Sequence, residues 1–402
     1  MDEQLDLPWL DHVVPSVYES FVETYAAFSV LAVIVCLLFD LSHRIMATTP
    51  DISNEPANGP ATTPLHRFRV EKCLTKPDQS DTEYDFHAPL KPTQLLFAGR
   101  LGGNQEFIIN RNDPAQAALL EKTPDAAPFM SLRQTFDLRG FREVDLWKAA
   151  FIEGIGTMLL VFLTVWISLS PATAPIPTPT TAAGVFATTP FLGALVGGVA
   201  NFILLSLFIF AFSPVSGGHL NPNITIATFF ARLTSFPRMA LYVAFQTLGA
   251  TVAGLLIRAT YGTRHFVAGG CEVDTALVPV GDAFALEFIC DLALLFMSFG
   301  VGLDPRQKQI FGPALGPIFV GLVLGIMSFG TSFTRRGYNG VSANPARCFG
   351  VFVGSRFPGY HWIHWIGAIT ADIVHGLVYF LVPPWQYSKS PTTNVVSTQS
   401  SA

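Results

Sequence analysis

Six long apolar runs fill the second part of the chain, at about 149–169, 190–212, 238–260, 283–302, 312–333 and 361–383. At 1.5 Å of rise per residue, each makes a helix able to cross a hydrocarbon core of about 30 Å. Two shorter apolar stretches interrupt the series, one between the second and third runs and one between the fifth and sixth. Each opens on Asn-Pro, in Ser216-Gly217-Gly218-His219-Leu220-Asn221-Pro222-Asn223 and in Gly340-Val341-Ser342-Ala343-Asn344-Pro345-Ala346-Arg347. Asn suits a helix cap, and Pro suits the first helical turn, where its missing N–H costs nothing. The pattern predicts two short helices that begin inside the membrane, each aiming its N-terminus at a common point. Three spans with a half-helix are followed by the same again. An odd number of crossings reverses the chain, so the predicted architecture is an inverted repeat.

The first part, 1–147, differs in kind. It holds one charge-free apolar run, Thr24 to Phe39, which reaches spanning length when carried back over Glu23 to Phe21. A hydrophobic helix at about 21–41 is expected, either crossing the bilayer or lying at its surface. Acidic residues before it, with His43 and Arg44 after it, would place the N-terminus outside. Residues 45–145 are rich in Pro, Asp, Thr and Lys without a sustained period, and read as a mostly irregular cytoplasmic segment. The membrane domain proper covers 148–385, and 386–402 is a polar tail expected to be disordered.

Composition narrows the class. Only 13% of the 402 residues are charged and 50% are hydrophobic, with a mean hydropathy of +0.42. A soluble domain carries about 25% charge, so a multi-pass protein of the plasma membrane or an internal membrane is expected. A net charge of -5 offers no basic surface for nucleic acid. The acidic N-terminus (Asp2, Glu3, Asp6) is unlike a cleavable signal. Arg139, Arg142, Lys148, Arg232, Arg238, Arg306, Lys308 and Lys389 lie on one side of the spans, against Arg258, Arg264, Arg335, Arg336 and Arg356 on the other. The balance favours both ends of the membrane domain in the cytoplasm. The spacing of Cys36, Cys73, Cys271, Cys290 and Cys348 fits neither a zinc site nor a disulfide framework, and Cys36 and Cys290 read as small hydrophobes.

Non-helical backbone at membrane depth survives only where protein or a water-filled cavity surrounds it. The loops before Asn221 and Asn344 are such backbone. Their carbonyls would form a ladder of acceptors, and the Asn amides would be donors at the midplane. Two helix N-termini add positive potential there, which opposes a cation or hydronium but not a neutral polar solute. Glu153 and Glu287 each lie within a span and are expected to hold the loops by accepting their N–H groups, with proton relay as the sharper alternative. Asp291 follows Glu287 by one turn and would extend that network. Arg347, about one turn after Asn344, is the candidate for the narrowest point, a structural salt bridge being the other reading. The sequence carries no phosphate-binding loop, catalytic triad or metal cluster, so no cofactor and no enzymatic role are expected.

The paired Asn-Pro motifs, the Ser-Gly-Gly-His lead-in, the in-span glutamates, Asn-Pro-Ala-Arg and Phe357-Pro358-Gly359-Tyr360-His361-Trp362-Ile363 together resemble the major intrinsic proteins, the aquaporin and aquaglyceroporin superfamily. The resemblance covers about 148–385. It implies an all-α, right-handed six-span bundle with two re-entrant half-helices, a homotetramer with one pore per chain, and passive flux. Asn221, Pro222, Asn223, Asn344, Pro345 and Ala346 would form the midplane motifs, with His219 joining Glu153 and Glu287 as loop support. Asn-Pro-Ala-Arg followed by Cys348, and Gly269-Gly270-Cys271 after span three, look like the X intrinsic proteins of fungi and plants. Free thiols, a disulfide between neighbours in the tetramer and packed thiols all remain open for Cys271 and Cys348. Family spacing carries the selectivity positions onto Asn201, Val341, Arg347 and Ser332, with Thr331 as the alternative to Ser332. Water-selective members place Phe and His at two of these positions, and this chain has neither. A wider filter passing glycerol, urea or hydrogen peroxide, with weak water flux and no protons or ions, is expected. Asn223 stands where Ala is usual, and would narrow the pore, alter selectivity or point into the bundle. The competing readings are an ion-coupled secondary transporter built on Glu153, Glu287 and Asp291, and a non-conducting structural relative.

Overall fold

The computed structural model describes residues 96–102, 108–171, 190–305 and 308–381. The expected helix at 21–41 and the tail 386–402 lie outside these residues. Eight helices build the membrane domain: α1 Val144–Ile167, α2 Pro190–Ser216, α3 Pro222–Phe230, α4 Phe236–Tyr261, α5 Val280–Ser298, α6 Lys308–Ser332, α7 Pro345–Gly354 and α8 Ile363–Leu381. α5 continues through a wider π turn, Phe299–Leu303. Among the described residues, five stretches, Val144–Ile167, Phe191–Ser216, Phe236–Tyr261, Val280–Leu303 and Ala314–Ser332, are long and apolar enough to cross a bilayer. α8 is the sixth long helix, and α3 and α7 are the two short ones.

The helix ends follow local chemistry. α1 starts at Val144, ahead of its apolar run, because Asp145 in the first turn suits the positive helix end and pairs with Lys148 at 3.1 Å. Ser235 caps α4 by position, and the helix closes on Gly262 at φ 81°. Outward faces stay apolar, with Leu163, Val199, Ile203, Leu207, Ile326 and Leu377 exposed. Lipid is the solvent for these side chains, so their exposure costs nothing.

Packing repeats the sequence symmetry. α1 packs on α4 as α5 packs on α8, α7 packs on α4 as α3 packs on α8, and α2 packs on α6 across the pseudo-two-fold. The half-helix α7 seats on α4 by close backbone approach. A Cβ on Gly254 would lie 1.8 Å from the Gly350 carbonyl oxygen, and one on Gly350 would lie 2.2 Å from that of Ala250. Ala250/Gly254 and Gly350/Gly354 thus carry small residues four apart on facing helices, a spacing readable in the sequence. Gly254→Val is expected to block this seating, at a cost of about 3 kcal/mol or more. Recovery of monodisperse protein in detergent checks it, and a yield equal to the parent's would contradict the contact.

On the side where α1 ends, the outer one on the charge expectation, Leu169–Pro171 (β1) pairs antiparallel with Phe266–Ala268 (β2). The pairing delivers Gly269–Cys271 to the start of α7, where Cys271 and Cys348 form a disulfide within the chain. The cysteine spacing suggested no framework, because partners 77 residues apart meet only once β2 is placed.

On the opposite side, where α1 begins and α8 ends, the segment expected to be irregular contains short helical pieces. They are Pro114–Gln116, Ala117–Lys122, Pro124–Ala126, Leu132–Thr135 and Leu138–Arg142. Such pieces are too short to show a helical period. Ser131 and Gln134 form a capping box, and Asp113 and Asp137 cap their own turns. Asp125, 2% exposed, receives Arg238 Nε at 2.8 Å and Ser235 Oγ at 2.8 Å. Burial opposes the charge on Asp125, but the Arg238 charge and these bonds prevail and hold its carboxyl below the usual range. This pair fixes the described part of the extension to α4.

Candidate functional site where the half-helices meet

The two Asn-Pro loops have matched backbones. Gly217 and Gly340, each four residues before its Asn, both take φ 99°. Leu220 and Ala343, each just before its Asn, are left-handed at φ 52° and 55°. A side chain pays for that conformation, and such strain persists only where the surroundings enforce it. The turn directs the carbonyls of Leu220 and Ala343 toward the opposite half-helix.

Asn221 and Asn344 meet tip to tip across this junction. Asn221 Nδ2 donates to Ala343 O at 2.7 Å, and Asn344 Nδ2 donates to Leu220 O at 3.1 Å. Their Oδ1 atoms cap their own helices, accepting Asn223 N at 2.9 Å and Arg347 N at 3.3 Å. An amide has two N–H donors, so each side chain keeps one after the crossing bond. Pro222 and Pro345 open the helices behind them, and Ala346 is fully buried. Two N-termini and two N–H groups therefore converge on one place.

Each loop is tied to a buried glutamate. Glu153 Oε1 accepts Ser216 Oγ at 2.6 Å and His219 N at 3.0 Å, while Oε2 accepts Leu220 N at 2.6 Å and Gln246 Nε2 at 3.0 Å. Glu287 accepts Ser342 N at 3.1 Å and Tyr338 OH at 3.1 Å, with His364 Nδ1 3.2 Å away. His219 places Nδ1 3.1 Å from Thr225 Oγ1 and Nε2 2.7 Å from Gly99 O. A carbonyl only accepts, so Nε2 carries the proton. Gln246 had a legible signal, a lone amide in an apolar span. Tyr338 had none.

Asn223 is fully buried and turns away from the junction. Its Nδ2 donates to Asp291 Oδ1 at 3.1 Å, on α5. Of the roles open to it, we propose that it points into the bundle. Asn223→Ala is therefore expected to leave solute flux within about twofold of the parent while lowering thermal stability. The loss is about 1–3 kcal/mol, because Asp291 would lose a donor. A changed solute preference in liposome flux would contradict this placement.

Arg347 is held by acceptors on two loops. Nη1 donates to Gly269 O at 2.8 Å and lies 3.3 Å from Cys271 Sγ, and Nη2 donates to Ser168 Oγ at 3.1 Å. Gly270 is wedged beside it, for a Cβ there would lie 3.0 Å from Nη1 and 2.9 Å from Val341 O. Val341 is buried against Leu294, Met327 and Ala343, and its N–H donates to Thr331 Oγ1 at 3.0 Å. Ser332 Oγ donates to Ser328 O at 2.5 Å, and Asn201 Nδ2 donates to Ser328 Oγ at 2.8 Å. The structure thus brings Val341, Arg347 and Thr331 into one cluster, and ties Asn201 and Ser332 to Ser328. Nothing in the sequence pointed to Ser328 or Ser168. Among the described residues, no group of three or more His, Cys, Asp and Glu side chains is placed to hold a metal ion.

This junction of capped half-helices within an inverted repeat defines a class of membrane channel. A family model for the major intrinsic proteins matches residues 140–379, and the chain belongs to that family. It is 33% identical over 190 residues to a probable aquaporin TIP4-1 of Oryza sativa subsp. japonica, covering 47% of this chain and 71% of that one. It is 32% identical over 242 residues to the lens fiber major intrinsic protein of Lithobates pipiens, covering 60% and 82%. It is 33% identical over 238 residues to aquaporin-5 of Homo sapiens, covering 58% and 80%. An aquaglyceroporin structure from Plasmodium falciparum aligns with a TM-score of 0.45 and 20% identity, covering 59% of this chain and 97% of that one. The protein is a multi-pass integral membrane protein of a channel family.

Proposed function

We propose that the chain is a passive pore for small neutral polar solutes (glycerol, urea and hydrogen peroxide, with slower water flux) that excludes protons and other cations. The observation that carries the reading is the pair of amides, Asn221 and Asn344, each with one N–H left at a point where two helix N-termini converge. A neutral solute with lone pairs is served by those donors, whereas a cation meets positive potential from both helices. The proposed filter is Asn201, Ser332, Val341 and Arg347, with Thr331 able to stand in for Ser332. None of these is aromatic, so the opening they bound is wider than a filter walled by rings. Glu153, Glu287 and His219 are proposed to keep the loops in register, and the assembly is proposed to be a homotetramer in the lipid bilayer. Swelling of proteoliposomes under a glycerol gradient, set against an osmotic one, tests the solute. Fast glycerol entry is expected; fast water with no glycerol entry would overturn the filter assignment.

A further inference from the structure

Leu96–Gly102, from the N-terminal extension, lies inside the helix bundle. Phe97, Arg100 and Leu101 are each no more than 2% exposed. Leu101 shares one apolar cluster with Ile209 of α2, Ile224 of α3, Leu295 of α5 and Val320 of α6. Its carbonyl oxygen would lie 3.5 Å from a Cβ on either Gly302 or Gly316. Gly316 stands eight residues into α6 from Lys308, about 12 Å along that helix from its inner end. Ser213 of α2, Gly316 and Pro317 of α6 and Gly302 after α5 approach the segment directly, so it lies in the interior of the bundle on the inner side of Asn221.

The segment also uses the polar groups of the loop that leads to Asn221. Leu101 N donates to Gly217 O at 2.9 Å, and His219 Nε2 donates to Gly99 O at 2.7 Å. The Arg100 guanidinium donates to Ser213 O near the end of α2, and to Gly102 O at 3.2 Å. Ala98 N donates to Asp125 O at 2.7 Å, and the Arg238 guanidinium lies 4.2 Å over the Phe97 ring. Burial lowers the Arg100 guanidinium to about 10, so it stays a cation at neutral pH.

We infer that Phe97–Gly102 is a plug in the inner half of the solute path and that Arg100 is the residue that sets it. The inference rests on the proposed neutral-solute pore. A solute moving inward from Asn221 would need the Gly217 carbonyl and the His219 ring, and both are engaged by the plug. Conduction then requires the segment to leave, and Arg100 adds a second fixed positive charge, from the opposite side of Asn221 to Arg347. The N-terminal extension becomes the controlling element of the pore.

The test uses full-length protein in proteoliposomes. Arg100→Ala is expected to raise glycerol flux on the order of tenfold, the change that follows from losing one charged hydrogen bond that favours the closed form. A double variant, Gly102→Cys with Ser213→Cys, tests the placement directly. A Cβ on Gly102 would lie 3.2 Å from Ser213 Cβ, near the span of a disulfide. Oxidation is expected to form this cross-link, read by mass, and to abolish flux; reductant should restore it, with the parent protein under the same reductant as control. Failure of the cross-link to form, or an oxidised, cross-linked channel that conducts as well as the reduced one, would overturn the plug and leave the solute reading standing. Silence of Arg100→Ala and of every redox state toward all neutral solutes would overturn both.

Discussion

Arg347→Ala will make the membrane leak protons and small cations. The side chain carries a full charge beside Val341, at the outer end of the junction, and its partners are two carbonyls, a hydroxyl and a sulfur rather than a carboxylate. Among the described residues no carboxylate lies within salt-bridge distance of Arg347, so its field reaches whatever passes. A unit charge about 5 Å from a permeating cation, at an effective dielectric constant of about 20, raises its energy by about 3 kcal/mol. Loss of that barrier corresponds to roughly a hundredfold faster cation passage. Decay of an imposed pH gradient in proteoliposomes measures it, and neutral-solute flux serves as the control for folding. An unchanged proton leak would remove Arg347 from the filter. The Cys271–Cys348 bridge bears on the same result, because it fastens the loop that supplies Gly269 O to the residue next to Arg347.

Glu153→Leu will strongly destabilise the folded protein. The carboxylate is fully buried and accepts four donors, from Ser216, His219, Leu220 and Gln246. Leucine fills similar space but orphans the His219 and Leu220 N–H groups, while Ser216 Oγ keeps Phe212 O and Gln246 Nε2 keeps Thr225 Oγ1. At about 2 kcal/mol for each of the two orphaned donors, the loss reaches about 4 kcal/mol. Typical domains have only about 5–15 kcal/mol in total. Glu153→Gln keeps one acceptor oxygen and is expected to lose less. Thermal unfolding of detergent-purified protein orders the three, parent above Gln above Leu. A Leu variant as stable as the parent would mean the loop keeps its shape without this carboxylate.

The inverted repeat and the two half-helices were legible because their signals are local. Asn221-Pro222 and Asn344-Pro345 act within one helical turn, and the apolar runs show their length directly. Glu153 and Glu287 stood out because a carboxylate within a span is costly enough to need a task. The details of the site were less legible. Thr331 rather than Ser332 receives the Val341 N–H, a choice one residue apart that depends on how α6 rotates against the loop.

What the chain determines by itself, then, is the order of spans and the residues that start each half-helix, since caps and hydrophobic runs depend on neighbours in sequence. Packing decided the rest. Asn223 turns to Asp291, 68 residues on; Cys271 finds Cys348; Gly99 reaches His219 across 120 positions. Such partners are chosen by helix crossings and close glycine contacts, and no local pattern records which distant donor will meet a given acceptor once the bundle closes.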